Sequence, residues 1–239
     1  MAEPQRNEPN ISERRGIRWI PDDHQLEEPT STLVLTSSRG QFVDVRIFCK
    51  PGEALPNEGP SLDHPSNPPP PADGSSRSVC HSTFSHWIDS RTDTPGPDQG
   101  DMYPQPSNTT LELGAMYNPL TNSEQPYEEV WVDYSASAVE GTRWCVVIDL
   151  DDPEHKAKGR VVRVGEHCQA ILKVGEQMTV ERWKFEAPEK DTKGGWERLA
   201  RLGDLYLPVS LAFTPERVIE GNTLTYGDYK WMVKEVYSW

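Results

Sequence analysis

One predicted strand carries two carboxylates and two large aromatic side chains on a single face. In "PYEEVWVDYSA" (residues 126–136), successive side chains of a strand point to opposite sides, so Tyr127, Glu129, Trp131 and Asp133 share one face. That face is too polar for a dry core and too aromatic for an ordinary wet surface. We therefore expect it to line a cavity, where rings supply contact area and polar groups orient a ligand.

Two other predicted strands divide in the same way. In "FVDVRIFCK" the mixed face carries Phe42, Asp44, Arg46 and Phe48. In "STFSHWIDS" Trp87 and Asp89 share a face, so three strands could surround one lumen if they close into a barrel. In the alternative interpretation these faces point outward under loops or a second barrel, and Asp44 pairs with Arg46 across strands.

The known catalytic and cofactor motifs are absent. The sequence has no glycine-rich phosphate or dinucleotide loop, no zinc-protease motif and no nucleophile elbow. His81 and His86 are five residues apart, which places them on opposite faces of a strand and disfavours a shared metal. We therefore predict neither a metal nor a cofactor.

Composition limits the partners. A formal net charge of -14 over 239 residues repels nucleic acid and anionic membrane surfaces. The first residues lack the apolar stretch of a signal peptide, and no run approaches the roughly 20 apolar residues of a membrane span. A cytoplasmic protein is expected, with an apolar or aromatic small molecule as its partner; the sequence leaves a homodimer open.

The four cysteines are expected to be reduced. Cys49, Cys80, Cys145 and Cys168 are scattered, with no close pair that would suggest a disulfide framework or a metal site.

Many short alternating segments separated by turn residues predict an all-β fold of two lipocalin-like antiparallel barrels. "STLVLTSS" and "QFVDVRIFCK" predict a hairpin, while "DTPGPDQGDMYPQP" predicts a loop. Only residues 194–203, "GGWERLARLG", have helical spacing, and "LYLPVSLAFT" is predicted to be a strand.

The predicted organisation has three parts. Residues 1–15 are polar and expected to be disordered, residues 16–138 form the N-terminal barrel, and residues 139–239 form the C-terminal barrel. The N-terminal barrel contains a proline-rich loop at 51–76, which is either a linker or a lid over the barrel mouth.

Three segments resemble landmarks of the fungal HRI family: "FSHWIDS", "GAMYNPLTNSEQPYEEVWVD" and "GNTLTYGDYKWMVKEV". The resemblance covers most of the chain from about Arg18 onward, and the insert at 51–76 departs from it. The yeast member of that family is named for interacting with a casein kinase and is similar to two lipocalin-like barrels in one chain. The chain also resembles, in length and in its lack of motifs, the hetero-Diels–Alderases of fungal tropolonic sesquiterpenoid pathways.

The second resemblance implies an enzyme of fungal secondary metabolism that joins a tropolone quinone methide to a sesquiterpene. Such a cycloaddition needs a shaped cavity and a donor at the quinone-methide oxygen. Arg46 or a tyrosine hydroxyl would be the donor, and Glu129 and Asp133 would orient Arg46 or assist loss of water. The predicted substrate-binding residues are Phe48, Trp87, Tyr127 and Trp131.

Two noncatalytic functions remain open. One is a carrier of apolar metabolites, which needs the same cavity, and the other is a protein-kinase interaction protein. Aromatic residues that face a lumen favour a ligand, whereas a filled barrel with exposed loop motifs favours a protein partner.

Overall fold

The computed structural model describes residues 6–21, 25–48, 79–118, 121–189 and 193–239. Nearly all regular structure in these ranges is β, arranged as two seven-stranded antiparallel sheets with little helix. The predicted all-β class is therefore confirmed. The proline-rich loop at 51–76 and Cys49 lie outside the described residues.

The first sheet has the strand order β3-β2-β1-β7-β6-β5-β4. Its strands are β1 (Asn10–Trp19), β2 (Thr30–Thr36), β3 (Phe42–Phe48), β4 (Cys80–Ser85), β5 (Pro97–Gln105), β6 (Thr109–Asn118) and β7 (Ser123–Tyr134). The predicted hairpin of β2 and β3 is present, and its turn uses Gly40 at a φ of 76°, a conformation that glycine adopts without strain.

The second sheet has the order β12-β11-β10-β9-β8-β14-β13. Its strands are β8 (Trp144–Asp152), β9 (Ala157–Val164), β10 (His167–Val174), β11 (Gln177–Glu186), β12 (Gly195–Leu202), β13 (Thr223–Tyr226) and β14 (Tyr229–Ser238). Between β12 and β13 lie a short helix, α1 (Val209–Phe213), and one 3-10 turn, Pro215–Arg217.

The chain divides into two compact units built from interleaved segments. Unit 1 comprises the described residues of Met1–Ile11, Thr32–Ile47 and Tyr134–Trp239, and unit 2 those of Ser12–Ser31 and Phe48–Asp133. Two separate barrels with a boundary at 138 and 139 stay a prediction.

Unit 1 has an apolar core. Its largest members include Ile148, Leu150, Leu172 and Trp231, all at most 1% exposed. Some buried polar side chains in this unit bond to backbone; Gln169 Nε2, for example, donates to Leu33 O at 3.0 Å. Such bonds satisfy polar groups that would otherwise cost stability in the interior.

The predicted disorder of residues 1–15 is wrong from Asn10 onward, because β1 begins there and Ile11 is 1% exposed. The polar side chains that suggested disorder are paired in the folded chain; Arg14, for example, binds two carboxylates. Residues 1–5 lie outside the described residues.

The helix prediction at 194–203 is wrong, since these residues contain β12, paired with β11. The helix lies instead within "LYLPVSLAFT", which was predicted to be a strand. A short buried apolar run has no periodicity that distinguishes the two states, so tertiary packing decides between them.

The loop predicted at "DTPGPDQGDMYPQP" contains β5. Its prolines cause little disruption because Pro97 is the first residue of the strand and Pro104 is the last but one. Pro97 also explains why β4 is shorter than predicted: Ser85 pairs with Pro97, which has no N–H to continue the ladder.

Cys80, Cys145 and Cys168 are free, which confirms the prediction for the three described cysteines. Burial raises the pKa of the Cys145 and Cys168 thiols above the ordinary value. These two thiols are therefore unreactive core residues.

His167 gives unit 1 a pH-dependent stability. Burial lowers its pKa to about 4, against the opposing pull of the Glu166 carboxylate. The unfolded chain takes up this proton near pH 6.5, so stability is present above that pH and is lost as the pH falls from about 6.5 to about 4. The loss should be at most about 3 kcal/mol.

Urea denaturation of the wild type and His167→Asn at about pH 7 and about pH 4.5 measures this loss. The variant should lose less stability on acidification. His155→Asn is the control, because the Asp152 carboxylate raises the pKa of His155 and this group therefore stabilises the folded state in acid. An identical pH dependence of the wild type and His167→Asn would contradict the assignment.

Candidate functional site

The face singled out in the sequence is buried in unit 2. On β7, Tyr127, Glu129 and Trp131 are 1%, 2% and 8% exposed, and Asp133 is half-buried. Ser12 Oγ on β1 donates to Asp133 Oδ1 at 2.6 Å. The structure thus brings four of the seven predicted site residues together on one strand face.

Glu129 belongs to a buried ion-pair network. Arg14 on β1 donates from Nη1 to Glu129 Oε1 at 2.5 Å, and its Nε and Nη2 donate to the two oxygens of Glu28 at 2.8 and 3.0 Å. Arg14 Nη2 also donates to Thr30 Oγ1 at 3.0 Å. Because one guanidinium binds Glu28 through two hydrogen bonds and Glu129 through a third, Arg14 is a positioned structural cation.

Tyr127 and Glu112 form a second polar contact on this face. The Tyr127 hydroxyl donates to Glu112 Oε1 at 2.8 Å, and Glu112 is 4% exposed. Burial, followed by the charge of Glu112, raises the pKa of Tyr127 above its ordinary value. Tyr127 therefore remains a protonated donor at neutral pH.

Two glycines make room for these side chains. A Cβ on Gly114, which pairs with Tyr127, would lie 2.5 Å from the tyrosine ring. A Cβ on Gly100 would lie 2.6 Å from Glu112 Oε1. The two side chains thus lie flat against the backbone of β5 and β6, at positions that only glycine allows.

Trp131 presents an unused donor. Its indole Nε1 is buried and has no hydrogen-bond partner among the described residues. Strand alternation puts Trp131 on the face of Glu129 and Tyr127, and it pairs with Thr110 of β6. A buried N–H without an acceptor costs about 1–3 kcal/mol, so the position is suited to a ligand that brings an acceptor.

The other predicted site residues lie elsewhere. Arg46 is exposed on β3 in unit 1 and donates two hydrogen bonds to Asp44 Oδ2 on the same strand, at 3.0 and 2.8 Å. Phe48 is 80% exposed at the end of β3. Trp87 follows the end of β4 and is half-buried. The predicted roles of these three residues stay predictions.

Sequence reasoning missed Arg14, Glu28 and Glu112. Arg14 lies in the stretch that polar composition assigned to disorder. A signal for Glu112 was present, because it stands between Leu111 and Leu113 in a predicted strand, where an isolated charge suggests an inward-facing partner.

Within the described ranges, no group of three or more His, Cys, Asp or Glu side chains is arranged to hold a metal ion. In the same ranges, no helix has the length and apolar character needed to cross a bilayer.

These features define an all-β protein with two seven-stranded antiparallel sheets and a buried ion-pair network. A model of one protein family, described as Protein HRI1, matches residues 10–235. The chain therefore belongs to the HRI1 family, which confirms the resemblance seen in the sequence.

One solved structure is similar over nearly the whole molecule. It is the crystal structure of an uncharacterized protein from Saccharomyces cerevisiae, with 19% identity and a TM-score of 0.66; the match covers 97% of this chain and 100% of that one. At this identity the likeness shows a shared fold. No curated protein sequence matches the chain.

Proposed function

We propose that unit 2 binds an apolar or aromatic small molecule against the buried face of β7. The observation that carries this proposal is the unpartnered indole N–H of Trp131. A tryptophan in this position combines a large flat surface for packing with one donor for an oxygen of the ligand. Phenylalanine would pack without the cost of an unsatisfied N–H, so stability alone does not explain the choice.

The surrounding polar groups suit orientation of a ligand. Arg14 is held by Glu28 and Glu129, and the Tyr127 hydroxyl is held by Glu112. Because these polar groups hold one another in place, their side chains do not have to rearrange when a ligand binds. The free thiols Cys80, Cys145 and Cys168 suit the reducing cytoplasm, which we propose as the location.

The reaction that this arrangement supports best is a hetero-Diels–Alder addition of a tropolone quinone methide to a sesquiterpene. One C–C and one C–O bond form and no atom is lost, so neither a nucleophile nor a proton carrier is required. Catalysis consists of orientation and of a donor at the quinone-methide oxygen.

In this proposal Trp131 replaces Arg46 as the donor. Arg46 is exposed and bonded to Asp44, and Arg14 is held by two carboxylates. The indole N–H of Trp131 can point at an oxygen without first breaking a bond within the protein.

The experiment incubates the protein with a tropolone quinone-methide precursor and humulene. A stereochemically defined adduct should form faster than in the uncatalysed mixture. Trp131→Phe, which keeps an aromatic ring and removes the donor, should lower the rate about tenfold, the equivalent of one hydrogen bond. Val132→Ala, on the opposite face of β7, is the control and should act through stability alone.

Calorimetric titration with the precursor alone separates the remaining functions. Binding without any gain in rate would show a carrier and remove the enzyme. If the folded protein neither binds nor accelerates, the small-molecule proposal is wrong, and a protein-kinase interaction protein is the function to test next.

A further inference from the structure

The segment between β12 and β13 closes the apolar interior of unit 1. It contains α1 and the 3-10 turn, and it places Leu207, Val209 and Ala212 in the same core cluster as Ile148 and Trp231. We call residues 206–218 the lid segment. Its removal would uncover the apolar interior of this unit.

A buried arginine bonds the lid segment to the sheet. Arg163 on β9 is 1% exposed, and its Nη1 donates to the carbonyl oxygens of Ala212 at 2.9 Å and Phe213 at 3.3 Å. Its Nε donates to Gly165 O at 2.9 Å. Burial lowers the pKa of Arg163, since these carbonyls do not replace water fully as partners of the charge.

Aromatic stacking extends this contact. The Arg163 guanidinium lies 4.9 Å from the centre of the Trp196 ring, and Trp196 stacks on Phe213 with centroids 4.2 Å apart. Trp183 meets the edge of Phe213 at 5.3 Å. The guanidinium of Arg163 on β9 and the rings of Trp183 on β11 and Trp196 on β12 thus hold Phe213 of α1 against the sheet.

The lid segment has weak internal support and firm ends. Neither end of α1 has a side-chain cap, and the helix is only five residues long, too short to be stable by itself. Before the segment, Leu205 N donates to Thr179 Oγ1 and Leu205 O accepts from Arg201. After it, Gly221 N donates to Val233 O. Fixed ends and a weak middle are the properties of a hinged element.

The interior under the lid segment contains an unsatisfied donor. Trp231 is 0% exposed, and its indole Nε1 has no hydrogen-bond partner among the described residues. Its six-membered ring packs against Gly159, where a Cβ would lie 2.3 Å from Trp231 Cη2. An apolar core with one buried N–H is chemically matched to an apolar molecule that carries one acceptor.

We propose that residues 206–218 form a lid that Arg163 holds closed, and that the interior of unit 1 uncovered when the lid opens binds an apolar molecule whose acceptor bonds to Trp231 Nε1. The ligand class is an apolar ketone or aldehyde, which carries a single carbonyl acceptor. This inference concerns unit 1 only and does not rest on the function proposed for unit 2.

The first test is hydrogen exchange. In the wild type, the amides of Leu211, Arg217 and Val218 should exchange faster than those of β8 to β10, because the lid segment opens without unfolding the sheet. Arg163→Met should accelerate exchange of these three amides about tenfold or more and leave β10 unchanged. Arg160→Met, on the same strand but paired with Asp149, is the matched control and should not affect the lid amides.

The second test is binding of 2-nonanone and nonane, followed by the indole N–H resonance of Trp231. Only molecules with an open lid bind the ligand, so the apparent affinity is proportional to the open fraction. Arg163→Met raises that fraction and should bind 2-nonanone about tenfold more tightly than the wild type. Adding Trp231→Phe to this variant should remove about tenfold of the ketone affinity and leave that for nonane unchanged.

Three results would overturn the proposal. One is unchanged exchange of the lid amides in folded Arg163→Met, and another is no binding of either compound by that variant. The third applies if Arg163→Met does not fold, when hydrogen exchange of the wild type is the test. Lid amides that exchange as slowly as those of β10 would show that no lid exists.

Discussion

Arg14→Met is expected to lower the free energy of unfolding by about 3–5 kcal/mol, because it leaves the buried carboxylate of Glu129 and the half-buried carboxylate of Glu28 without their cation. Glu28 and Glu129 both bond to this guanidinium, and the Glu129 side chain is only 3% exposed. Urea denaturation at neutral pH, followed by circular dichroism, measures the change. The loss comes from the uncompensated charges, since the methionine keeps most of the volume.

Two companion variants isolate this cause. Adding Glu129→Leu to Arg14→Met should recover part of the lost stability, because the double variant no longer buries the Glu129 carboxylate without its cation. Arg15→Met removes a half-exposed pair with Glu13 and should cost less than about 1 kcal/mol. If the free energy of unfolding of Arg14→Met lies within about 1 kcal/mol of the wild-type value, the network is not a buried, coupled unit.

Gly114→Ala is expected to destabilise the protein by about 2–3 kcal/mol through overpacking. The new methyl would lie 2.5 Å from the ring and hydroxyl of Tyr127, which is 1% exposed and bonded to Glu112. Because the ring is buried and its hydroxyl is bonded, relieving this contact must shift the sheet or break the hydrogen bond. Thermal or urea denaturation of the variant measures the loss.

A second substitution that removes the clash tests the contact between position 114 and the Tyr127 ring. Tyr127→Val in the Gly114→Ala background should cost less than Tyr127→Val in the wild type, since it removes the atoms that clash. Gly96→Ala is the control, because a Cβ there meets nothing within 4 Å. Equal costs of Tyr127→Val in both backgrounds would show that the ring does not pack on Gly114.

The composition of the β7 face was readable from the sequence because alternation is a local property of a strand. It correctly grouped Tyr127, Glu129 and Trp131, and all three are buried. The same logic does not extend to Trp87, because β4 ends at Ser85 and alternation no longer applies. The alternation of side chains therefore predicts a shared face only within the residues that form the strand.

The sequence left two roles open for Glu129, orienting Arg46 or assisting loss of water, and in the structure its carboxylate bonds to Arg14. Arg46 lies in a predicted strand, whereas Arg14 lies in the polar stretch expected to be disordered, although it belongs to β1 in the structure. Which one reaches Glu129 depends on which strand neighbours β7, and β1 holds that position in the sheet. Strand order is set by long-range pairing, which a local pattern does not encode.

The sequence alone determined the all-β class, the family and the shared face of Tyr127, Glu129 and Trp131. These follow from side-chain periodicity, turn residues and motif resemblance, all of which are written locally along the chain. Tertiary structure decided that "WERLARL" is a strand and that "VSLAF" is a helix. It also decided that Arg14 meets a carboxylate 115 positions away. Burial and the energy of distant contacts select among local states of similar stability, so these outcomes exist only in the folded chain.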